Sequence, residues 1–275
     1  MNNLQKRILT GTLAGTLAVF AIYSHHFGLL LFCLLVSLLS FYEYVNLQET
    51  SPTINFPFWL WGTLLWVLIS LNYLFRFQQN NLVWWLQLVI VPLSGTVALY
   101  RKPIQQSFQQ WGLALAGYGY IFIPFALLFE LSFPVENNDN YMFMGALGVL
   151  LLMWTADIGA YFVGKYLGKR FIFPSVSPKK TWEGFLGGVL FTVLLGVVLQ
   201  KYATLPDRNW VICGVLIAIM GLYGDLFESL MKRNADKKDS GSLLPGHGGF
   251  LDRFDGVFFA VPPVYAYIHI SKLFS

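Results

Sequence analysis

A near-continuous succession of apolar segments, each about as long as a bilayer is thick, constrains this chain most. A helix crossing the hydrocarbon core needs about 20 mainly apolar residues. Nine segments meet or approach that length, at 8–24, 27–47, 56–75, 82–99, 111–131, 141–164, 182–200, 210–231 and 254–271. Charge is scarce: 12% of the 275 residues are charged and 56% are hydrophobic, where a soluble domain carries about 25% charged residues. So little polar surface cannot coat a water-exposed globule. An ordinary soluble enzyme, a disordered chain and a disulfide scaffold are excluded. Unpaired peptide groups are costly in hydrocarbon, so the spans are expected to be helices. The expected fold is an all-α, polytopic integral membrane helical bundle with about nine transmembrane helices.

Details of the segments agree with that class. Trp59, Trp61, Trp84, Trp85 and Trp111 stand near span ends, where an aromatic belt forms. Cys33 and Cys213 sit inside apolar runs and read as small core residues, with neither metal-type spacing nor a disulfide framework. Lys6 and Arg7 precede an apolar stretch as in a signal peptide. No small-residue cleavage site stands out, so the stretch reads as a retained first helix. With nine spans, twelve of the 18 Lys and Arg residues fall on one side, in the loops near 48–55, 100–110, 165–181 and 232–253. That side is expected to face the cytoplasm. Short loops and the lack of a targeting peptide suggest a bacterial inner membrane.

Charge is also uneven along the chain. Nine of the fourteen acids and twelve of the eighteen bases lie between Asp157 and Asp255. Residues 1–135 therefore read as scaffold helices, with Glu43, Glu49 and Glu130 their only acids. Residues 136–275 read as a catalytic region. Asp225, Glu228, Ser229 and Lys232 recur at i, i+3, i+4 and i+7, which places them on one helical face. An ionisable group within a span usually faces a cavity or a partner. A Glu228–Lys232 salt bridge at the membrane edge is the plainer alternative. The segment from Lys232 to Arg253 combines Lys238 with a turn containing Gly246, His247, Gly248 and Gly249, followed by Asp252, Arg253 and Asp255. Glycine permits close backbone approach, and such turns present N–H groups to anions. Carboxylates hold magnesium, and cations hold phosphates. Together they describe a metal–polyphosphate site at a membrane face.

Two further pieces lie upstream. Ser177 is positioned to cap the following helix, with Pro178 in its first turn and Lys179 and Lys180 beside an anion-attracting N-terminus. Asp157 lies in an apolar run and is either a site residue or a structural hydrogen-bond partner. Gly164 and Gly168 form a pair suited to close helix contact. His247 either meets phosphate, as donor or general acid, or braces its turn.

The stretch from Ser229 through Lys232-Arg233, Lys238-Asp239 and Pro245-Gly-His247-Gly248-Gly249-Phe-Leu-Asp252-Arg253-Phe-Asp255 resembles the signature of the phosphatidate cytidylyltransferases, or CDP-diacylglycerol synthases. The likeness runs through 27 residues without departure. Asp157-Ile-Gly-Ala-Tyr161 and Ser177-Pro-Lys179-Lys180-Thr-Trp-Glu-Gly184 also resemble family segments. The resemblance implies transfer of a cytidylyl group from CTP to phosphatidate, giving CDP-diacylglycerol and pyrophosphate in phospholipid biosynthesis. It implies magnesium, with K⁺ as a second cation, and a homodimer in the bilayer without a nucleic-acid partner. Asp225 and Asp252 align with the family's metal-binding aspartates. Asp255, Glu228 and Asp157 are then auxiliary ligands. Lys232, Arg233, His247 and Arg253 are candidate catalytic groups, and Ser177, Lys179, Lys180, Lys238, Ser229, Gly248 and Gly249 candidate substrate-binding groups. A transferase using another CTP-dependent or polyprenyl-phosphate reaction shares this logic. A transporter fits less well, because its polar residues collect at the midplane rather than at one face.

Overall fold

The computed structural model describes residues 3–48, 96, 104–134, 140–203, 205, 208–244, 246 and 248–274. Helices α1 (Asn3–Ser24) and α2 (His26–Gln48) come first, then α3 (Ile104–Gly117), which passes through a π-helical turn, Tyr118–Phe122, into α4 (Ile123–Glu130). The second half holds α5 (Met144–Leu167), a hairpin of β1 (Phe171–Phe173) and β2 (Ser177–Thr181), and helices α6 (Trp182–Tyr202), α7 (Trp210–Asn234) and α8 (Leu251–Leu273).

The span count departs from expectation. Among the described residues five helical segments, not about nine, are long and apolar enough to cross a membrane: His26–Gln48, Phe108–Glu130, Met144–Leu167, Trp182–Tyr202 and Trp210–Asn234. The expected spans at 56–75 and 82–99 lie outside the described residues, with Trp59, Trp61, Trp84 and Trp85. In α1 the segment Gly11–Ser24 is apolar but shorter than a full span. α8 falls short for a different reason. Asp252, Arg253 and Asp255 crowd its start, and Pro262, Pro263, Tyr265, Tyr267 and His269 dilute its apolar run. It buries Val257, Phe258, Ala260, Val261 and Val264 inside the protein instead. Phe125 holds it through edge-on contacts with Phe254 and Phe258, at 5.7 and 5.9 Å between ring centres.

The hairpin is the second departure. Ser177 does not cap a helix. It opens β2, where it pairs with Phe173, while Phe171 pairs with Thr181. Pro178 has a fixed φ and no N–H, which an edge strand tolerates. The helix starts four residues later than expected. Thr181 is its cap, with extended backbone and a hydroxyl accepting the Gly184 N–H at 3.2 Å. Lys179 and Lys180 therefore lie on a strand, not in a helical first turn.

Small residues bring α5, α6, α7 and α8 into backbone contact. A methyl added at Gly184 would lie 2.8 Å from the Ala160 carbonyl oxygen, and one at Gly188 2.9 Å from that of Ala156. Gly164 lies against Gly184, whereas Gly168 ends α5 rather than packing between helices. Gly224 of α7 is the tightest case across the α7–α8 seam, since a methyl there would sit 2.5 Å from the Asp255 carbonyl oxygen. Main chain cannot rotate aside as a side chain can. Gly224→Ala is therefore expected to destabilise the protein by about 1–3 kcal/mol, read as a lowered thermal midpoint in detergent. An unchanged midpoint would show that the two helices part freely.

Candidate active site

The four glycine-seamed elements enclose one large cavity of about 680 Å³. Asp157, Tyr161 and Gly164 of α5 line it, with Ser177, Lys179 and Lys180 of β2, Asp225 of α7, and Arg253 and Asp255 of α8. Carboxylates and cations separated by up to 98 residues thus share one chamber. The hairpin is what brings Lys179 and Lys180 over it. Glu183 fixes the base of that hairpin by accepting the N–H groups of Lys169 and Arg170 at 3.0 and 3.1 Å.

Asp225, Glu228 and Asp255 form an acidic trio whose nearest oxygens all lie within 4.8 Å of one another. Helical spacing sets Asp225 and Glu228 on one face of α7, and the Gly224 contact sets Asp255 opposite. Lys180 forms an ion pair with Asp225. Ser229 donates to Asp225 at 3.4 Å. The Glu228 side chain is fully buried. Lys232 Nζ is ion-paired with its Oε2 at 2.5 Å, which leaves Oε1 as the buried oxygen without a partner. Buried acceptors in that condition suit a hard cation.

Asp252 stands differently from the pairing expected for it. One of its oxygens accepts Lys232 Nζ at 2.7 Å, and the other accepts the N–H groups of Ser240 and Gly249 at 3.0 and 2.9 Å. Burial works to raise its pKa, but the neighbouring Glu228 carboxyl, the Lys232 ammonium and the Gly249 N–H outweigh it and bring the carboxyl down to about 2. Asp252 thereby clamps the glycine-rich segment. Gly246 and Gly248 hold positive φ of 80° and 83° there, and Leu244 bridges to Gly248. Lys232 joins the clamp to the acidic trio, because it contacts Glu228 and Asp252 together. Arg233 and Lys238 are exposed and do not line the cavity. His247 lies outside the described residues.

Glu43 is the residue that the sequence analysis left in the scaffold. It reaches from α2 to the same segment, where its Oε2 accepts the Leu251 N–H at 2.9 Å and the Ser240 hydroxyl at 3.2 Å. Its signal was available, since an acid within an apolar span marks a site in its own right, as it did for Asp157.

The chain matches a family model described as the Cytidylyltransferase family over residues 5–271. It is 31% identical over 270 residues to the phosphatidate cytidylyltransferase of Bacillus subtilis (strain 168), covering 96% of this chain and 97% of that protein. It is 32% identical over 271 residues to the enzyme of that name from Brucella suis biovar 1 (strain 1330), covering 97% and 94%. A third relative of the same name, from Staphylococcus aureus (strain COL), is 36% identical over 186 residues, covering 65% and 69%.

Removing the cation at the centre of the clamp leaves two buried carboxylates uncompensated. Lys232→Met is expected to cost about 3–5 kcal/mol of stability, measured by chemical unfolding in detergent micelles. A loss below about 1 kcal/mol, the range of exposed pairs, would show that water reaches these groups freely.

Proposed function

The chain belongs to the cytidylyltransferase family, and we infer that it transfers the cytidylyl group of CTP to phosphatidate, releasing pyrophosphate and forming CDP-diacylglycerol. It is an integral membrane nucleotidyltransferase of phospholipid biosynthesis, with bacterial relatives. The observation that carries the reading is the cavity itself, in which Asp225 and Asp255 face Lys179, Lys180 and Arg253 beside helices apolar enough to lie in lipid.

The chemistry follows from charge. The nucleophile is a phosphate oxygen of phosphatidate, largely ionised at neutral pH because the second pKa of such esters is about 6. No strong general base is required. The oxygen attacks the α-phosphorus of CTP, the bond from that phosphorus to the bridging oxygen breaks, and pyrophosphate leaves with the electron pair. The obstacle is repulsion between a lipid phosphate and a triphosphate. Catalysis therefore consists of neutralisation and in-line placement. Lys179, Lys180 and Arg253 supply positive charge within the chamber. Lys180 is held by Asp225, so its ammonium is placed at the boundary between the acids and the phosphates.

Asp225, Glu228 and Asp255 are the residues suited to hold magnesium, as the mutual approach of their oxygens and the buried, unpartnered Glu228 Oε1 support. Magnesium, when bound, supplies Lewis-acid charge against the negative charge of the leaving pyrophosphate. Asp157 adds to the same cavity as an outer carboxylate. Asp252 serves by holding Lys232 and the glycine-rich turn, through the Ser240 and Gly249 N–H groups that it accepts. No arrangement among the described residues supports K⁺. Segments 165–181 and 232–253 are rich in Lys and Arg, and Lys165, Lys179, Lys180 and Arg253 among them line the chamber. They support a cytoplasmic-facing site in an inner membrane. The homodimer is likewise proposed, on the family likeness alone.

Purified protein in detergent with labelled CTP, phosphatidate and magnesium is expected to yield lipid-linked cytidine, and EDTA to abolish it. Polyprenyl phosphate in place of phosphatidate is expected to give none, and preferential labelling of it would transfer the chain to another reaction. Asp225→Asn and Asp255→Asn are each expected to lower turnover at least 10²-fold, on the scale of lost charge stabilisation at a reacting centre. Magnesium affinity, followed by calorimetry, is expected to fall with them. Near-normal turnover and affinity in either variant would remove that residue from the metal set.

A further inference from the structure

Glu43 lies on α2, within a segment apolar enough to cross a membrane, and is 1% exposed. A carboxylate is costly to bury unless its oxygens are hydrogen-bonded. Its Oε2 accepts from Leu251 N–H and Ser240 Oγ, while its Oε1 has no hydrogen-bond partner. Leu251 is the first residue of α8, so its N–H is one of the four donors that a helix start leaves unsatisfied. Phe250, at the cap position of α8, offers no side-chain hydrogen bond. Glu43 thus caps α8 from another helix, with negative charge at the end where a helix favours it.

The segment before α8 is shaped around this carboxylate. A methyl at Gly249 would lie 2.2 Å from Glu43 Oε2, and one at Gly241 2.4 Å from Oε1. A second tie runs from the same helix, where Lys237 Nζ donates to the Asn46 carbonyl at 2.8 Å. Asp252, Arg253 and Asp255 follow Leu251 by one, two and four residues. Whatever fixes the start of α8 fixes all three.

We propose that Glu43 is a positioning residue for cytidylyl transfer: from the N-terminal helices it sets the first turn of α8 and the glycine-rich turn against the chamber. The proposal rests on the reading above, in which the start of α8 carries Arg253 and Asp255 into the chamber. Glu43 itself touches neither substrate. A side chain with one acceptor oxygen on the Oε2 side satisfies both donors, so charge on Glu43 is dispensable and the acceptor is not.

The test compares Glu43→Leu with Glu43→Gln in purified enzyme. Glu43→Leu is expected to lower kcat by about 10²-fold, the scale of an ångström-level misplacement of reacting groups, and to raise the KM for CTP. Glu43→Gln, keeping the amide oxygen toward Leu251 and Ser240, is expected to restore most of both. Hydrogen exchange of residues 240–251 is expected to accelerate in the Leu variant alone, with α5 and α6 unchanged. Wild-type kinetics in a folded Glu43→Leu protein would overturn the proposal. So would a loss that merely follows the folded fraction as temperature is lowered. Should Glu43→Leu fail to fold, Ser240→Ala carries the test: a partial fall in kcat with faster exchange across 240–251 supports the role, and unchanged values overturn it. A wild-type protein that makes no lipid-linked cytidine would count against the reaction assigned above. An active wild type with an unaffected Leu variant would count against Glu43 alone.

Discussion

Lys232 ties two buried polar clusters of this molecule to each other. It is a single ammonium between two buried carboxylates, Glu228 at 2.5 Å and Asp252 at 2.7 Å. Removing charge from water in an apolar bundle is so costly that charges gather only where they compensate one another. Glu228 belongs to the acidic trio on α7 and α8, and Asp252 belongs to the clamp on the glycine-rich turn. One cation therefore couples the acidic trio to the glycine-rich turn that leads into α8.

The chamber has an economy that follows from this coupling. Its acids lie on two helices in backbone contact, its cations on a short hairpin and a helix start, and its turn on two carboxylates from opposite sides. Glu43 approaches from α2, and Asp252 from α8. The N-terminal helices, which carry none of the cavity-lining charges, contribute by fixing where those charges stand.

Much of this was legible in the residues. The i, i+3, i+4, i+7 recurrence of Asp225, Glu228, Ser229 and Lys232 states a shared helical face, because the period of the α-helix leaves no other arrangement. The Glu228–Lys232 contact follows from it. Ser177 shows where local reading fails. A serine before a proline satisfies the rules for a helix start, but pairing with Phe171–Phe173 satisfies more backbone groups, and Thr181 four residues on is an equally good cap. The division of labour among the aspartates was also hidden. Asp252 and Asp255 are three residues apart on one helix, and only the approach of Lys232, Ser240 and Gly249 separates their roles. The last expected span, 254–271, was overread because apolar length was weighed without asking whether a neighbour covers it. α8 is held by Phe125 and buried by protein, so it keeps prolines, tyrosines and acids that lipid would not tolerate.

Gly224 gives the chamber a mechanical stop. It precedes Asp225 directly, and its α-carbon rests against the carbonyl of Asp255. The approach of the two helices at these carboxylates is thus set by main chain meeting main chain, and the rotamers of Asp225 and Asp255 set the final spacing of their oxygens. How closely the two helices seat therefore depends on a hydrogen atom where every other amino acid carries carbon.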